Sequence, residues 1–419
     1  MKVCSFQLMP YRDLPDDFEK RYESVWVNPP NDELCDPVKV GDYYNWTLDE
    51  LELADQLGFD GVCVNEHHQN AYGFMPSPNI MAAALARRTT DAALIVLGNT
   101  LPLYTPALRV AEEFAMLDCI SGGRLVAGFP VGSSPDVNFC YGVPPTHTRP
   151  RYYEAHDLIT QAWTRPGPFA FNGRFNQLRN VNPWPKPIQK PHPPIWLAGG
   201  GSVETWEFAA RNSYSYSYLS YFGNFFGGKI MQGYWDTLER MGIDNNPYRG
   251  GFLQLVLVAE TDEQAEKDYL QHVKYFYEKC LAIAPYFFEA PGYRTRRSTE
   301  FAIKTNQPGE IAKYAALEKS WKTFVDNEFI IAGSPATVRQ RLKDACKRLR
   351  LGHLMVLLQI GSMSTELTKK NITLFGTEVM PYIKDLWDDE GWEDLWWPSG
   401  AKRRPVAAAP VRELAAVGG

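Results

Sequence analysis

Residues 61–70 read GVCVNEHHQN, an apolar run that closes on Asn65, Glu66, His67 and His68. Imidazole donates or accepts a proton near neutral pH, so a histidine at the end of a buried segment is a candidate partner for a reacting group. His67 is that candidate, with Glu66 and His68 as the groups that shape it. A metal is the competing reading. Successive side chains of an extended segment point to opposite sides, and neither HExxH spacing nor a third-ligand cluster accompanies the pair, so no metal site is expected. The plain alternative is a structural histidine pair satisfied by hydrogen bonds.

A second stretch, PIWLAGGGSVETWEFAAR at 194–211, leads an apolar run through Gly199, Gly200 and Gly201 into a helical pattern starting at Ser202. A helix N-terminus offers unpaired N–H groups and a favourable dipole, and the Ser202 and Thr205 hydroxyls add to it, so the stretch predicts an anion site that suits phosphate. It is neither a Walker loop nor a dinucleotide turn, and glycine runs also make plain turns. A third stretch spans 97–136. There Asn99 closes a strand, and Arg109, Glu112 and Glu113 mark the solvated or intersubunit face of an amphipathic helix.

Eight short apolar runs precede or carry these residues: 2–8, 61–65, 94–99, 125–129, 194–199, 214–220, 252–260 and 354–361. Most read as strands buried on both faces, and helical segments alternate with them, which predicts a parallel sheet. Helix starts are expected at Thr47 with Glu50 and at Thr261 with Gln264 as capping boxes, and at Ser77-Pro78, Thr105-Pro106 and Ser334-Pro335. Further helices are expected over 150–163, 202–212 and 228–241. Eight strands with intervening helices, and no Gly-rich turn after the first, predict a (β/α)8 TIM barrel rather than a doubly wound sheet. In a barrel the residues at strand carboxyl ends face the active-site mouth, which is where Asn65 to His68 would stand.

The expected organisation is one barrel domain over 1–398 with insertions at about 9–46, 164–193 and 282–334. The first two are read as lids, because long loops in compact domains are commonly functional. Residues 399–419, rich in Ala, Pro and Gly, are expected to form a mobile tail. The tyrosine- and phenylalanine-rich segment 214–235 suits a substrate wall or the core equally.

The 419-residue chain is 45% hydrophobic and 22% charged with a net charge of −6, an ordinary globular composition. Without a basic patch it predicts no nucleic-acid and no membrane partner. Seven scattered cysteines without a CxxC pair, and no signal-peptide pattern at the start, predict a reduced, cytoplasmic protein.

Taken in order, GFDGVCVNEHHQN, SPNIMAAALA, RVAEEFAMLDCISGGRL and PPIWLAGGGS resemble blocks of the bacterial luciferase-like flavin monooxygenases, from about Trp46 to Arg211, with a weaker echo in IIAGSPATVRQRL at 330–342. The resemblance implies a (β/α)8 barrel that binds reduced FMN, or in one branch F420, at the strand carboxyl ends. It implies a flavin C4a-peroxide that oxygenates a small or medium organic substrate with O2, by Baeyer-Villiger insertion or hydroxylation. No NAD(P)H fingerprint is present, so a separate NAD(P)H:flavin reductase is the expected source of reductant. By the same resemblance His67 lies beside the isoalloxazine and Asn99 near it. Gly200, Gly201, Ser202 and Thr205 hold the phosphate, and the chain forms a homodimer. One departure stands out. Many members carry an Arg-Gly pair after the fourth strand, whereas this chain has Val131-Gly132, which removes a cation from the phosphate or flavin edge. The departure also opens two other readings, F420-dependent hydride transfer and a flavin-binding protein without catalysis.

Overall fold

The strands and helices alternate as the apolar pattern requires. The computed structural model describes residues 1–399. The strands are β1 Lys2–Phe6, β2 Gly61–Val64, β3 Ala93–Val96, β4 Leu125–Gly128, β5 Phe169–Asn172, β6 Gln177–Val181, β7 Ile195–Gly199, β8 Ser215–Leu219, β9 Gly250–Val258, β10 Ile330–Gly333 and β11 His353–Leu357. Eight of them, in the order β1-β2-β3-β4-β7-β8-β9-β11, pair in parallel and close on β1, forming a TIM barrel. All eight coincide with the runs expected from sequence.

Two features lie outside that expectation. β9 outruns its neighbour: its first half pairs with β8 from Gly250 to Leu253, and its second half, Leu255 to Val258, pairs with β10. The four-residue run IIAG is too short to announce itself and becomes a strand because β9 leaves an unpaired edge beside it. The other feature is the antiparallel β5–β6 hairpin inside the Pro- and Asn-rich excursion.

Three helix starts are corrected, among them the one expected at 228, which lies at Gly223. The first long helix runs Pro37–Gln56 and is capped by Asp36, which accepts from the Val38 N–H at 2.9 Å. An Asp-Pro start outcompetes the Thr47/Glu50 box, and both of those residues lie mid-helix and buried. Pro106 likewise precedes its helix, Leu108–Ser121, by two positions. Ser334 and Thr261 do cap, accepting from the N–H groups of Thr337 and Gln264. Apart from Ser399, the tail expected at 399–419 lies outside the described residues.

Side chains alternate across each strand. A Cβ at Gly61 would press on Ile95, Cys4 and Trp397, so Gly61, Cys63 and Asn65 form one column facing the barrel interior. At the N-terminal end the last described segment closes the barrel. The Trp196 indole donates to the Trp396 carbonyl at 2.9 Å, and the His353 ring meets the Asp394 carboxylate at 3.0 Å. The C-terminal end is the face on which barrels carry their chemistry.

Candidate active site

The ends of β2, β3, β4, β7 and β8 contribute to one cavity of about 300 Å3. On the β2 side stand Asn65, Glu66 and His67, with Asp136 opposite. Asp136 belongs to the turn Pro135–Cys140, which the GSSPD sequence bends back toward β2. Its carboxylate accepts from Ser133 Oγ at 2.6 Å, His67 Nδ1 at 2.9 Å, the His68 N–H at 2.8 Å and Asn70 Nδ2 at 3.2 Å. Burial pushes this carboxyl up, but the neighbouring His67, Ser133 and His68 N–H outweigh it and hold it below the ordinary carboxylate value. A carboxylate only accepts, so Nδ1 of His67 carries the proton toward Asp136, and in the neutral ring Nε2, which makes no hydrogen bond among the described residues, is the acceptor.

Glu66 lines the cavity but its oxygens are engaged by the Thr100 N–H, by Tyr104 Oη at 2.7 Å and by His68 Nε2 at 3.0 Å. The His68 ring lies behind Glu66, where its Nδ1 accepts from Tyr141 Oη at 3.2 Å. Asn99 also stands behind the wall, fully buried, between Asn79 and Tyr104 at 2.9 and 3.2 Å. Neither His68 nor Asn99 lines the cavity; Glu66, His67, Val131, Gly132, Gly200, Gly201, Ser202 and Thr205 all do.

On the β7 side the Gly199–Ser202 turn meets the helix Val203–Asn212. Gly201 has φ +92°, a conformation that favours glycine, and a Cβ on Gly200 would meet nothing within 4 Å. Arg149, one residue into the helix Thr148–Thr164, supplies a cation that sequence reasoning missed. One guanidinium nitrogen donates to Ser202 Oγ at 2.7 Å, Nε is buried without a partner, and no described carboxylate pairs with it. Val131, the position read as a lost cation, is a buried wall residue. Arg149 was hidden because it reaches the site from the far end of a different loop.

The roof comes from the third insertion. Phe288, Glu289, Tyr293, Arg294, Ser298 and Gln307 line the cavity. Glu204, in the first turn of the β7 helix, accepts from Ser202 Oγ at 3.0 Å and from Thr295 and Ser298 at 2.5 Å each. Burial opposes its ionisation, yet the three hydroxyls hold its pKa down to about 2. Arg297 pairs with Glu207 at 2.6 Å, and the Ala290 N–H donates to Ser134 Oγ at 2.8 Å. Here the lid expectation is corrected: neither 9–46 nor 164–193 supplies a lining residue. The first insertion does set Trp26 against Tyr72, 3.9 Å between tilted ring centroids, beside the His67 ring. In the aromatic segment 214–235, Tyr214, Tyr216, Tyr218 and Tyr234 are buried core, and only Leu219 reaches the cavity.

Among the described residues no group of three metal-ligating side chains occurs, and no helix is long and apolar enough to cross a membrane. The residues present do suit a phosphate-bearing heterocycle. Arg149 and the helix N-terminus form an anion cradle, Leu97, Val131, Ala198 and Leu219 give apolar walls, His67 lines the cavity, and Asn65 Oδ1 is unpartnered among the described residues.

A closed parallel barrel with a cavity, a histidine and a cation unpaired among the described residues at its carboxyl mouth is the architecture of an enzyme site, and its class follows from its relatives. The sequence profile described as luciferase-like monooxygenase matches residues 30–351, and the chain belongs to that family. It is 30% identical over 174 residues to the oxygenase component of flavin-dependent trigonelline monooxygenase from Acinetobacter baylyi, covering 40% of this chain and 46% of that protein. Two solved structures share the fold. The oxygenating constituent of 3,6-diketocamphane monooxygenase from Pseudomonas putida, a type II Baeyer-Villiger enzyme in complex with FMN, superposes with a TM-score of 0.64 at 18% identity, over 91% of this chain and 99% of that one. An F420-dependent secondary alcohol dehydrogenase with an F420-acetone adduct gives 0.61 at 16% identity, over 92% and 99%.

Proposed function

We propose that this protein is the oxygenase of a two-component flavin-dependent monooxygenase. It takes reduced FMN from a separate NAD(P)H:flavin reductase and uses O2 to oxygenate a small or medium organic molecule, by Baeyer-Villiger insertion or hydroxylation. The observation that carries the reading is one cavity that joins the Arg149 cradle to the His67–Asp136 pair. Bound reduced flavin would supply the electrons and activate the oxygen. Arg149, Ser202, Thr205 and the N–H groups following Gly200 would hold the phosphate. His67 would present Nε2 to the reacting edge and move a proton there, held in one tautomer by Asp136. The insertion roof would exclude water. The apolar wall of Leu97, Pro130, Val131, Leu219 and Phe288 favours a substrate of low polarity.

F420-dependent hydride transfer is the second reading, favoured by the fold shared with the F420 alcohol dehydrogenase. A binding protein without catalysis loses its motive once Arg149 stands in for the missing arginine. The reading includes a cytoplasmic homodimer, formed through the exposed Ile80, Met116 and Ile120 of neighbouring helices.

The test is anaerobic titration with reduced FMN or reduced F420, followed by mixing with O2 while flavin absorbance and oxygen uptake are recorded. Saturable FMN binding with oxygen uptake is the expected result. Binding of F420 alone, with no oxygen uptake, would replace the monooxygenase reading with hydride transfer. An Arg149→Met variant should weaken FMN about 10- to 100-fold, the worth of a charged hydrogen bond, and leave riboflavin unchanged.

A further inference from the structure

Asn65 is 3% exposed, projects from the end of β2 into the barrel and lines the cavity. Among the described residues its Oδ1 is buried without a partner, and no hydrogen bond involves its carboxamide. The reason is positional. Asn65 continues the inward column of Gly61 and Cys63, and the inward groups that share the cavity with it from β3, β7 and β8 are Leu97, Ala198 and Leu219, none of which has a polar side chain. The flanking polar residues are already committed: Glu66 to Thr100, Tyr104 and His68, and His67 to Asp136.

A buried carbonyl oxygen without a partner opposes folding, and such groups are ordinarily satisfied. An amide also presents a donor and an acceptor in one plane, the complement of a ring edge carrying an adjacent N–H and C=O. We propose that Asn65 is a specificity-determining residue that recognises the amide edge of a bound heterocycle, so that the cavity selects its ligand by ring as well as by phosphate. The proposal rests on the flavin reading above and adds a second, phosphate-independent anchor to it. The pyrimidine-type edge of a flavin is the chemistry that fits.

A merely structural asparagine and a ligand-reading one respond oppositely to an apolar replacement. Asn65→Leu removes the unpaired polar group, so the midpoint of thermal unfolding of the ligand-free protein should rise by about 2 °C. The same change should weaken FMN and riboflavin alike by about tenfold, in contrast to Arg149→Met, which acts through the phosphate alone. Fluorescence titration of oxidised FMN and of riboflavin into wild type, Asn65→Leu, Asn65→Ala and Arg149→Met, with thermal melts of each ligand-free protein, reads both effects. Equal losses for the two flavins in both Asn65 variants, with a raised midpoint for Asn65→Leu, support the proposal. Wild-type affinities in the Asn65 variants, or a lowered midpoint in Asn65→Leu, overturn it and leave the flavin reading standing. Failure of wild type to bind either flavin overturns both.

Discussion

Replacing Asp136 by Asn should reverse the hydrogen-bonding sense of His67. The native carboxylate takes protons from four directions. Oδ2 faces Ser133 Oγ and His67 Nδ1, and Oδ1 faces the His68 N–H and Asn70 Nδ2. The backbone N–H cannot turn away, so the Asn side chain must keep its oxygen there and place its NH2 toward Ser133 and His67. A hydroxyl rotates to accept, and the imidazole can accept at Nδ1 only by moving its proton to Nε2. The cavity then meets a donor where it met an acceptor. Loss of a general acid or base in its working form costs about 10²- to 10⁴-fold in turnover. Loss of hydrogen bonds to a charged group costs roughly 1.5 to 3 kcal/mol of stability. The native Asp136 carboxyl is held below its ordinary value, so its contribution is present at neutral pH and is lost as pH falls through the depressed folded value. Long-range 1H–15N correlation of the imidazole nitrogens reports the tautomer directly, and oxygen uptake reports turnover. An Asp136→Asn protein that keeps the Nδ1–H tautomer and wild-type uptake would refute the assignment.

Three other outcomes are expected. Burial lifts the Glu50 carboxyl to about 7 against the opposing pull of Arg12, so between pH 4.5 and 7 the folded chain holds a proton that the unfolded chain has released. Stability therefore falls as pH rises across that window, by about 3 kcal/mol, and Glu50→Gln, which keeps an acceptor for Gln7, should flatten the profile in urea melts taken from pH 5 to 8. An unchanged slope would count against it. Glu204→Ala cuts the contacts to Thr295 and Ser298, so limited proteolysis of 285–304 should quicken by about 10- to 100-fold in the ligand-free protein, and equal rates would show that the roof is held elsewhere. Ile80→Asp combined with Met116→Asp should halve the mass seen by light scattering if those exposed side chains are the dimer seam, and an unchanged mass would remove them from it.

The barrel was legible because its eight strands are buried on both faces and its helices are amphipathic, a pattern carried within short windows of sequence. What escaped is structure decided across the chain. β10 exists only because β9 extends past β8, and the Thr47/Glu50 pair imitates a cap while lying in the middle of a helix whose true start is Asp36-Pro37. The same division holds in the site. Asn65 to His67 and Gly200 to Thr205 could be placed at strand ends from local pattern alone. Asp136, Ser298 and Tyr293 could not, since each reaches the cavity from a turn or insertion whose path no local periodicity encodes.

Arg149 shows why a missing motif residue is weak grounds for a lost function. A cradle for a dianion needs positive potential at a point in space, and the chain can deliver it from any element whose end opens there. With Val131 on the wall, a guanidinium from the head of the next helix reaches Ser202 and keeps its Nε free of any acceptor among the described residues. The network then runs on from Arg149 through Ser202 to Glu204 and the roof hydroxyls of Thr295 and Ser298. A phosphate that takes up Arg149 and Ser202 would compete for the hydrogen bond that Ser202 gives to Glu204. Anion binding and the hold on the roof are thereby joined through one hydroxyl. In Ser202→Ala, phosphate-bearing and phosphate-free flavins should protect 285–304 from protease equally; in wild type the phosphate-bearing flavin should alter that protection more. Equal protection by the two in wild type would sever the link.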